Sequence, residues 1–204
     1  MKAIILFLGI GFFWALSFEH CPEKPECLVT SEKDIYEYLD STASALESHV
    51  EGLSEEQMQF SADENSWTIA QIVEHINIVE GGLKGLLNSK LEAGENSEMR
   101  DQIKFSDAEL LAFITNRREK IKTQPQFEPA DSFTSSAEAL DAFNDQREKI
   151  VDWLKDSNAD LRNYVAEFPF GMIDGYQTVL FMAGHTERHI KQIEEVKNNP
   201  NFPK

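Results

Sequence analysis

Cysteine is nearly absent: Cys21 and Cys27 are the only 2 among 204 residues, so everything after residue 27 must manage without a disulfide framework or a thiolate nucleophile. Basic residues are also scarce. Lys and Arg total 19 against 36 Asp and Glu, a net charge of −17. A surface this acidic repels phosphate backbones, and a nucleic-acid partner is excluded as an expectation. Repeats, low-complexity tracts and convincing strand patterns are missing too. Long apolar runs are confined to the first 17 residues.

What is present is enough apolar material for a real core, 41% hydrophobic against 27% charged residues, in a chain of one domain's length. Lys2 and the run from Ala3 to Leu16, followed by Ala15-Leu16-Ser17, have the pattern of a signal peptide over 1–17. A helix over Ala3–Phe18 would be roughly 24 Å long, short of a comfortable membrane span. An exported protein, periplasmic or secreted and with no stable span after cleavage, is therefore expected, with an uncleaved membrane anchor as the alternative. Residues 18–30 read as a leader linker. There Cys21 and Cys27, with Pro22 and Pro25 between them, either close a small disulfide or remain free thiols. A lipoprotein signal fits poorly, because Phe18-Glu19-His20 precedes Cys21.

From residue 31 to 204 the chain reads as five helices in one domain. The first runs from about Ser31 to Val50 and stops at Gly52. Residues 54–61 form an acidic connector. The second helix opens on Thr68 with Gln71 as its capping-box partner and Trp67 as a hydrophobic staple; Gly81, Gly82 and Gly85 interrupt its stripe. A third helix opens at Ser106 with Glu109 and continues through Ile121 towards Pro125. A fourth opens at Ser135 with Glu138, and the last near Asp174 with Gln177. Gly94 to Lys104 is read as a loop, 124–134 as an extended link, and Phe168-Pro169-Phe170-Gly171 as a turn. The fold class expected is all-α, a helical bundle with one additional helical segment.

The last helix carries the chemistry. His185 and His189 stand four apart, on one helical face and one turn apart, so they can share a metal ion or can equally be satisfied core histidines. A metalloprotease motif would place glutamate directly after the first histidine, but Thr186 occupies that position, and Glu187 lies roughly 200° around the helix. The Glu-x-x-His repeats of di-iron bundles are lacking. Among the other histidines, His20 lies in the leader and His49 ends the first helix. Only His75, on the flank of the second helix's stripe, can face the interior beside the last helix.

Three stretches together resemble the DinB-like metal-binding four-helix bundles: Asn65 to Ile76, with its Trp67-Thr68 start and His75; Pro169 to Gln177; and His185 to Ile193, with its H-x-x-x-H pair. The resemblance implies an up-down-down-up bundle. It implies a divalent ion, zinc or nickel, held by His75, His185 and His189 with water on the open side. It also implies a small-molecule substrate and a metal-dependent hydrolase or a transferase using a low-molecular-weight thiol. The leader sets this chain apart from cytoplasmic thiol transferases, since export would remove the thiol. The alternative function is a non-catalytic exported bundle that binds a metal or ligand, and a homodimer is the alternative assembly. Of the neighbouring residues, Arg188 is weighed as an anion contact against a solvated arginine. Glu187 and Glu194 are assigned to the exposed face, and Glu74 to solvent or to an imidazole N–H. Trp67 and Tyr176 are read as packing residues before pocket residues. No general base is identified.

Overall fold

A computed structural model describes residues 32–64, 66–118 and 122–204. The leader, Cys21, Cys27 and His20 lie outside the described residues. Among the described residues there are six α-helices: α1 (Glu32–Val50), α2 (Glu55–Met58), α3 (Ile69–Ala93), α4 (Asp107–Thr115), α5 (Ser136–Ser157) and α6 (Gly175–Lys197), with strands β1 (Val165–Phe168) and β2 (Gly171–Asp174) before the last. Among the described residues no helix is long and apolar enough to cross a membrane.

The long helices α1, α3, α5 and α6 form the bundle, and contacts along their lengths fix its sense. Tyr38 meets Glu187 and His49 meets Glu194, so α1 and α6 run parallel. Glu80 meets Arg147 and Lys84 lies over Trp153, so α3 and α5 are parallel as well. His75 beside His189, with Leu87 against Gly175, makes α3 antiparallel to α6. Leu39 meets Arg147 and Leu53 meets Ser136, which makes α1 antiparallel to α5. In chain order the helices run up, down, down, up.

Capping chemistry sets the helix starts. Full capping boxes close at Thr68/Gln71, Ser106/Glu109 and Asp174/Gln177, as the spacing predicts. The fourth predicted box closes by half: Ser135 accepts from the Glu138 amide, but the Glu138 carboxylate turns to the Thr134 amide at 3.2 Å. The acidic connector holds a further box, Ser54/Gln57, which starts the single turn α2. The stretch read as a loop after α3 contains a 3-10 turn, Ser97–Gln102.

Two expectations need larger correction. The third helix ends at Thr115, well short of Pro125, because the Arg188 side chain takes up its terminal carbonyls at Ile114 and Asn116. The predicted turn at 168–171 is flanked by strands: β1 and β2 pair antiparallel, Val165 opposite Asp174 and Phe168 opposite Gly171. Gly171 closes that hairpin at φ +134°, a conformation that L side chains rarely adopt.

Among the described residues the core is two large apolar clusters and a small third, Leu110, Ile114 and Ile173, under the hairpin. One large cluster holds Leu39, Val79, Leu83, Ile150, Val179 and Leu180; the other holds Leu46, Ile69, Ile72, Ile76, Phe143 and Ile193. A polar layer at mid-bundle links all four long helices. The Arg147 guanidinium forks onto Glu80, with Nε–Oε2 at 3.0 Å and a second contact from Nη2 to Oε1. It also donates to the Leu39 carbonyl (2.6 Å), the Thr42 hydroxyl (3.1 Å) and the Thr186 hydroxyl (3.0 Å). The Thr186 hydroxyl in turn donates to Glu80 at 2.7 Å. Glu80 is 0% and Arg147 4% exposed, so neither charge has water to fall back on.

Removing one partner strands the other. Glu80→Ala should cost about 3–5 kcal/mol in urea denaturation, whereas the double variant Glu80→Met with Arg147→Met should cost much less. An unchanged midpoint for Glu80→Ala would refute the pair's structural role.

Candidate metal centre

Three helical turns bring the site together. His185 and His189 project from α6 and His75 from α3, all buried, each offering one nitrogen within 4.8 Å of the others. The Nε2 atoms of His185 and His189 are 3.2 Å apart. Nitrogens bound to one tetrahedral zinc-type ion at about 2.0–2.1 Å sit about 3.3 Å from each other, so this pair already has the spacing of co-ligands.

Neighbouring groups determine which nitrogens are free to bind. His75 Nδ1 lies 2.7 Å from the Phe127 carbonyl. A carbonyl only accepts, so Nδ1 carries the proton and Nε2 keeps its lone pair. His189 Nδ1 lies 2.9 Å from Gln192 Oε1, which also accepts from Arg117 Nη1 at 3.4 Å. That amide oxygen therefore accepts from both, and His189 Nε2 is likewise a lone pair. His185 Nδ1 is buried with no hydrogen-bond partner. Two lone pairs and a third imidazole converge on one point without enough protons to pair them, which is what a cation resolves. An all-imidazole donor set suits Zn²⁺, Ni²⁺ or Cu²⁺.

The electrostatics agree. Burial pushes His185 well below the ordinary histidine pKa of 6.5, with help from His75 and Arg188. Burial also pushes His189 well below it, aided by His185 and His75 and opposed by Gln192. His75 is lowered by burial against the opposing Phe127 hydrogen bond. All three are neutral near pH 7, the form that binds metal.

Small residues let the surrounding walls close in. A Cβ on Gly184 would lie 2.9 Å from Leu111 Cδ1 and 3.4 Å from Ile114 Cγ2, so glycine lets these α4 side chains seat closely on α6 beside His185. A Cβ on Gly82 would meet the Phe127 ring at 3.1 Å, so this glycine lets the link seat Phe127, whose carbonyl orients His75. The link then follows α3, Ser132 on Glu74 and Asp131 on Gln71. Gly81 faces Gln146, whereas Gly85 has no neighbour that would explain it.

A cavity of about 1060 Å³ opens onto the triad and is lined by all three histidines. Trp67 packs on the core cluster of Ile72, as a staple would, and also lines this cavity, its ring 4.7 Å from His75. Arg188 lines it as well, but is buried and tied to the end of α4; it is not a solvated arginine. Glu74 is neither solvent-facing nor on an imidazole: it is buried and accepts from Ser132 at 2.6 Å. Glu187 is half-buried, accepting from Tyr38 and Lys191, while Glu194 is exposed as expected and pairs with His49. Tyr176 is packing, with the Arg162 guanidinium 3.8 Å from its ring. Gln192 and the Phe127 carbonyl were not foreseen. Gln192 stands three after His189 on the same helical face and could have been found by that spacing; a main-chain carbonyl leaves no mark in a sequence.

The family model described as the DinB superfamily matches residues 38–193, more than half of the chain. The chain belongs to the DinB superfamily. It is similar to YuaE, an uncharacterized protein of Bacillus subtilis (strain 168), at 22% identity over 151 residues, 72% of this chain and 88% of that protein. Among solved structures it is similar to YfiT from Bacillus subtilis, at 14% identity and a TM-score of 0.49, covering 86% of this chain and 92% of that one. YfiT is described as a probable metal-dependent hydrolase with an unusual four-helix bundle topology.

Two outcomes follow. Gln192→Leu should weaken metal binding about 10–100-fold in chelator-competition titrations, by freeing the His189 ring and its tautomer. For the metal-free protein, the lowered histidine pKa values mean that the unfolded chain binds more protons below pH 6.5. Stability should be full above that pH and fall as pH drops towards the folded-state values. Thermal melts from pH 8 to 5 would show this, and a melting temperature that rises on acidification would contradict it.

Proposed function

We propose that the protein is a divalent-metal-dependent enzyme, a hydrolase in the first place, with His75, His185 and His189 as the metal ligands. The observation that carries this is the cavity reaching the triad: the three imidazoles converge at its wall, so a bound ion keeps an open side. Zinc or nickel would serve, supplying Lewis-acid polarisation of a carbonyl and acidifying a water, or a thiol in its place, to give a nucleophile near neutral pH.

The chain's own groups do the remaining work. Phe127 and Gln192 hold two imidazoles in the tautomer that presents Nε2. Trp67 and Phe181, against His75 and His185, exclude bulk water and sharpen the local field. Arg117, held by Glu195 at 2.7 Å, fixes Gln192 and places a positive charge on the cavity wall.

The substrate is a small molecule, in keeping with the cavity at the triad and the net charge of −17. Export, inferred from residues 1–17, favours water over a cytoplasmic thiol as nucleophile. A bundle that only sequestered an ion would have no use for a cavity at the ion's open side; a non-catalytic bundle that binds a ligand there is the second reading, and metal-loaded protein that binds small molecules without turnover would select it.

Elemental analysis should find near one equivalent of metal per chain and almost none in His185→Ala; full retention in that variant would sink the three-histidine site. Ester hydrolysis without added thiol should follow metal content across these samples. A requirement for thiol would replace the hydrolase by the transferase. Sequencing the mature N-terminus should find a start near residue 18, and a start at Met1 would refute cleavage.

A further inference from the structure

The cavity wall changes character at the triad. Along α6 the lining side chains run from Phe181, through His185 and His189, to Gln192 and Glu195. On α3, which runs the opposite way, Leu86, Leu83 and Val79 lie at the Phe181 end, and His75 and then Ser66 follow towards the other. The hairpin adds Phe168, Pro169 and Phe170 to the mainly apolar half, with Glu167 the charged hairpin residue beside them, whereas Arg117, just past the end of α4, joins Gln192 and Glu195 in a mainly polar half that Trp67 and Val196 also line.

The apolar half is built from rings in register with the site. Phe181 stacks on His185 at 5.7 Å, Phe170 stacks on Phe181 at 5.8 Å with only 3° between planes, and Phe113 meets Phe170 at 5.4 Å. Phe113 is the outermost cavity-lining ring of this row, with Phe105 packed on it at 5.9 Å, and is the exposed large hydrophobic among the described residues, 40% accessible. Rings that pave a path from the surface to a histidine are a costly feature in a chain this polar unless something apolar covers them. The row belongs to the wall of a cavity, not to a flat face, so a small ligand fits it better than a protein partner.

We infer that the substrate is an ester or thioester of an apolar carboxylic acid. Its acyl chain lies along Phe181, Phe170 and Phe113 against Val79 and Leu83. Its scissile carbonyl is at the triad, and its polar alcohol or thiol portion lies on the Arg117–Gln192 side. The bond broken is between the carbonyl carbon and the leaving oxygen or sulfur. Water forms the new carbon–oxygen bond, and its proton leaves with the alcohol or thiol, so no further reactant is needed. This assignment rests on the metal-dependent reading for the chemistry, but the acyl pocket can be tested by binding.

The test uses the full-length protein as purified, with metal measured on each sample. A bound fluorescent probe, 1-anilinonaphthalene-8-sulfonate, is displaced by straight-chain carboxylates from butanoate to dodecanoate, the acids such hydrolysis would release. Affinity should rise about fourfold per methylene until the phenylalanine-lined half is filled, then level off. Phe170→Asp should weaken octanoate binding about tenfold or more. Phe113→Ser, at an exposed position where folding is not at stake, should weaken it about threefold. Octanoate binding no tighter than butanoate, or binding equally well to both variants, overturns the acyl pocket. A steep chain-length dependence in protein that holds no metal keeps the pocket and removes the metal reading; full metal with a flat dependence does the reverse.

Discussion

The guanidinium of Arg147 is the group on which the rest of this bundle depends. It is the point where α1, α3, α5 and α6 meet, and it is bonded to a residue or carbonyl of each of the other three. Apolar side chains above and below could slide or rotate by a fraction of a turn at modest cost, since packing of this kind is broadly permissive. A buried fork between Arg147 and Glu80 is not permissive, because a small rotation leaves a charge unpaired. Thr186 is gripped by both partners. It stands about 100° from His185 and about 60° from His189 around the helix, so fixing its direction fixes theirs. The residue that occupies the place of a metalloprotease glutamate is thus the one that aims the two histidines.

Topology supplies the rest of the site. Because α3 and α5 run parallel, the chain must return the full length of the bundle between them, about 37 Å for a helix the length of α3. The described parts of that return, residues 94–118 and 122–135, build the site's outer walls. α4 packs at Gly184 and ends on Arg188, and the link then seats Phe127 at Gly82 and its carbonyl on His75. An up-down-up-down bundle with short loops would have the same core and no such cover. The glycines in α3 and α6 weaken those helices locally, each by roughly 1 kcal/mol against alanine. At Gly82 and Gly184 that loss is offset by close packing that places a ligand or its neighbour.

Much of this was legible in the sequence, and the parts that were not have physical reasons. Helix starts at Thr68, Ser106 and Asp174 were readable because a capping box needs two side chains at fixed spacing. The histidines were readable because four residues is one turn. The hairpin was not: strands of four residues are too short for alternation to show, and half of their positions face other elements. Glu74 looked like a surface residue, since nothing in α3 announces that Ser132 arrives from a distant link. The Glu80–Arg147 pair did leave a signal. Glu80 stands four after Ile76 and three before Leu83, and Arg147 stands four after Phe143 and three before Ile150. Each charge is in the middle of an apolar stripe, and one charge of each sign at that position on two helices is the mark of a buried pair.

Burial at the triad works in two directions, and the balance explains why the site is built this way. Taking three imidazoles out of water disfavours their protonated forms, so a proton competes poorly with a metal ion there. The same burial makes unpaired ring nitrogens at one point costly without a cation, because the Nδ1 protons of His75 and His189 are committed to Phe127 and Gln192 and His185 Nδ1 has no hydrogen-bond partner. An apolar half of the cavity deepens both effects on the Phe181 side, where it touches His185. The polar half, with Arg117 and Glu195 paired across it, keeps the other side wet enough for a hydrophilic group to enter or leave. A site wholly within the core would bind its ion tightly and exclude substrate; one wholly at the surface would lose the desolvation that keeps the histidines neutral. At the boundary between the two halves, the ligands are dry on one side and reachable on the other.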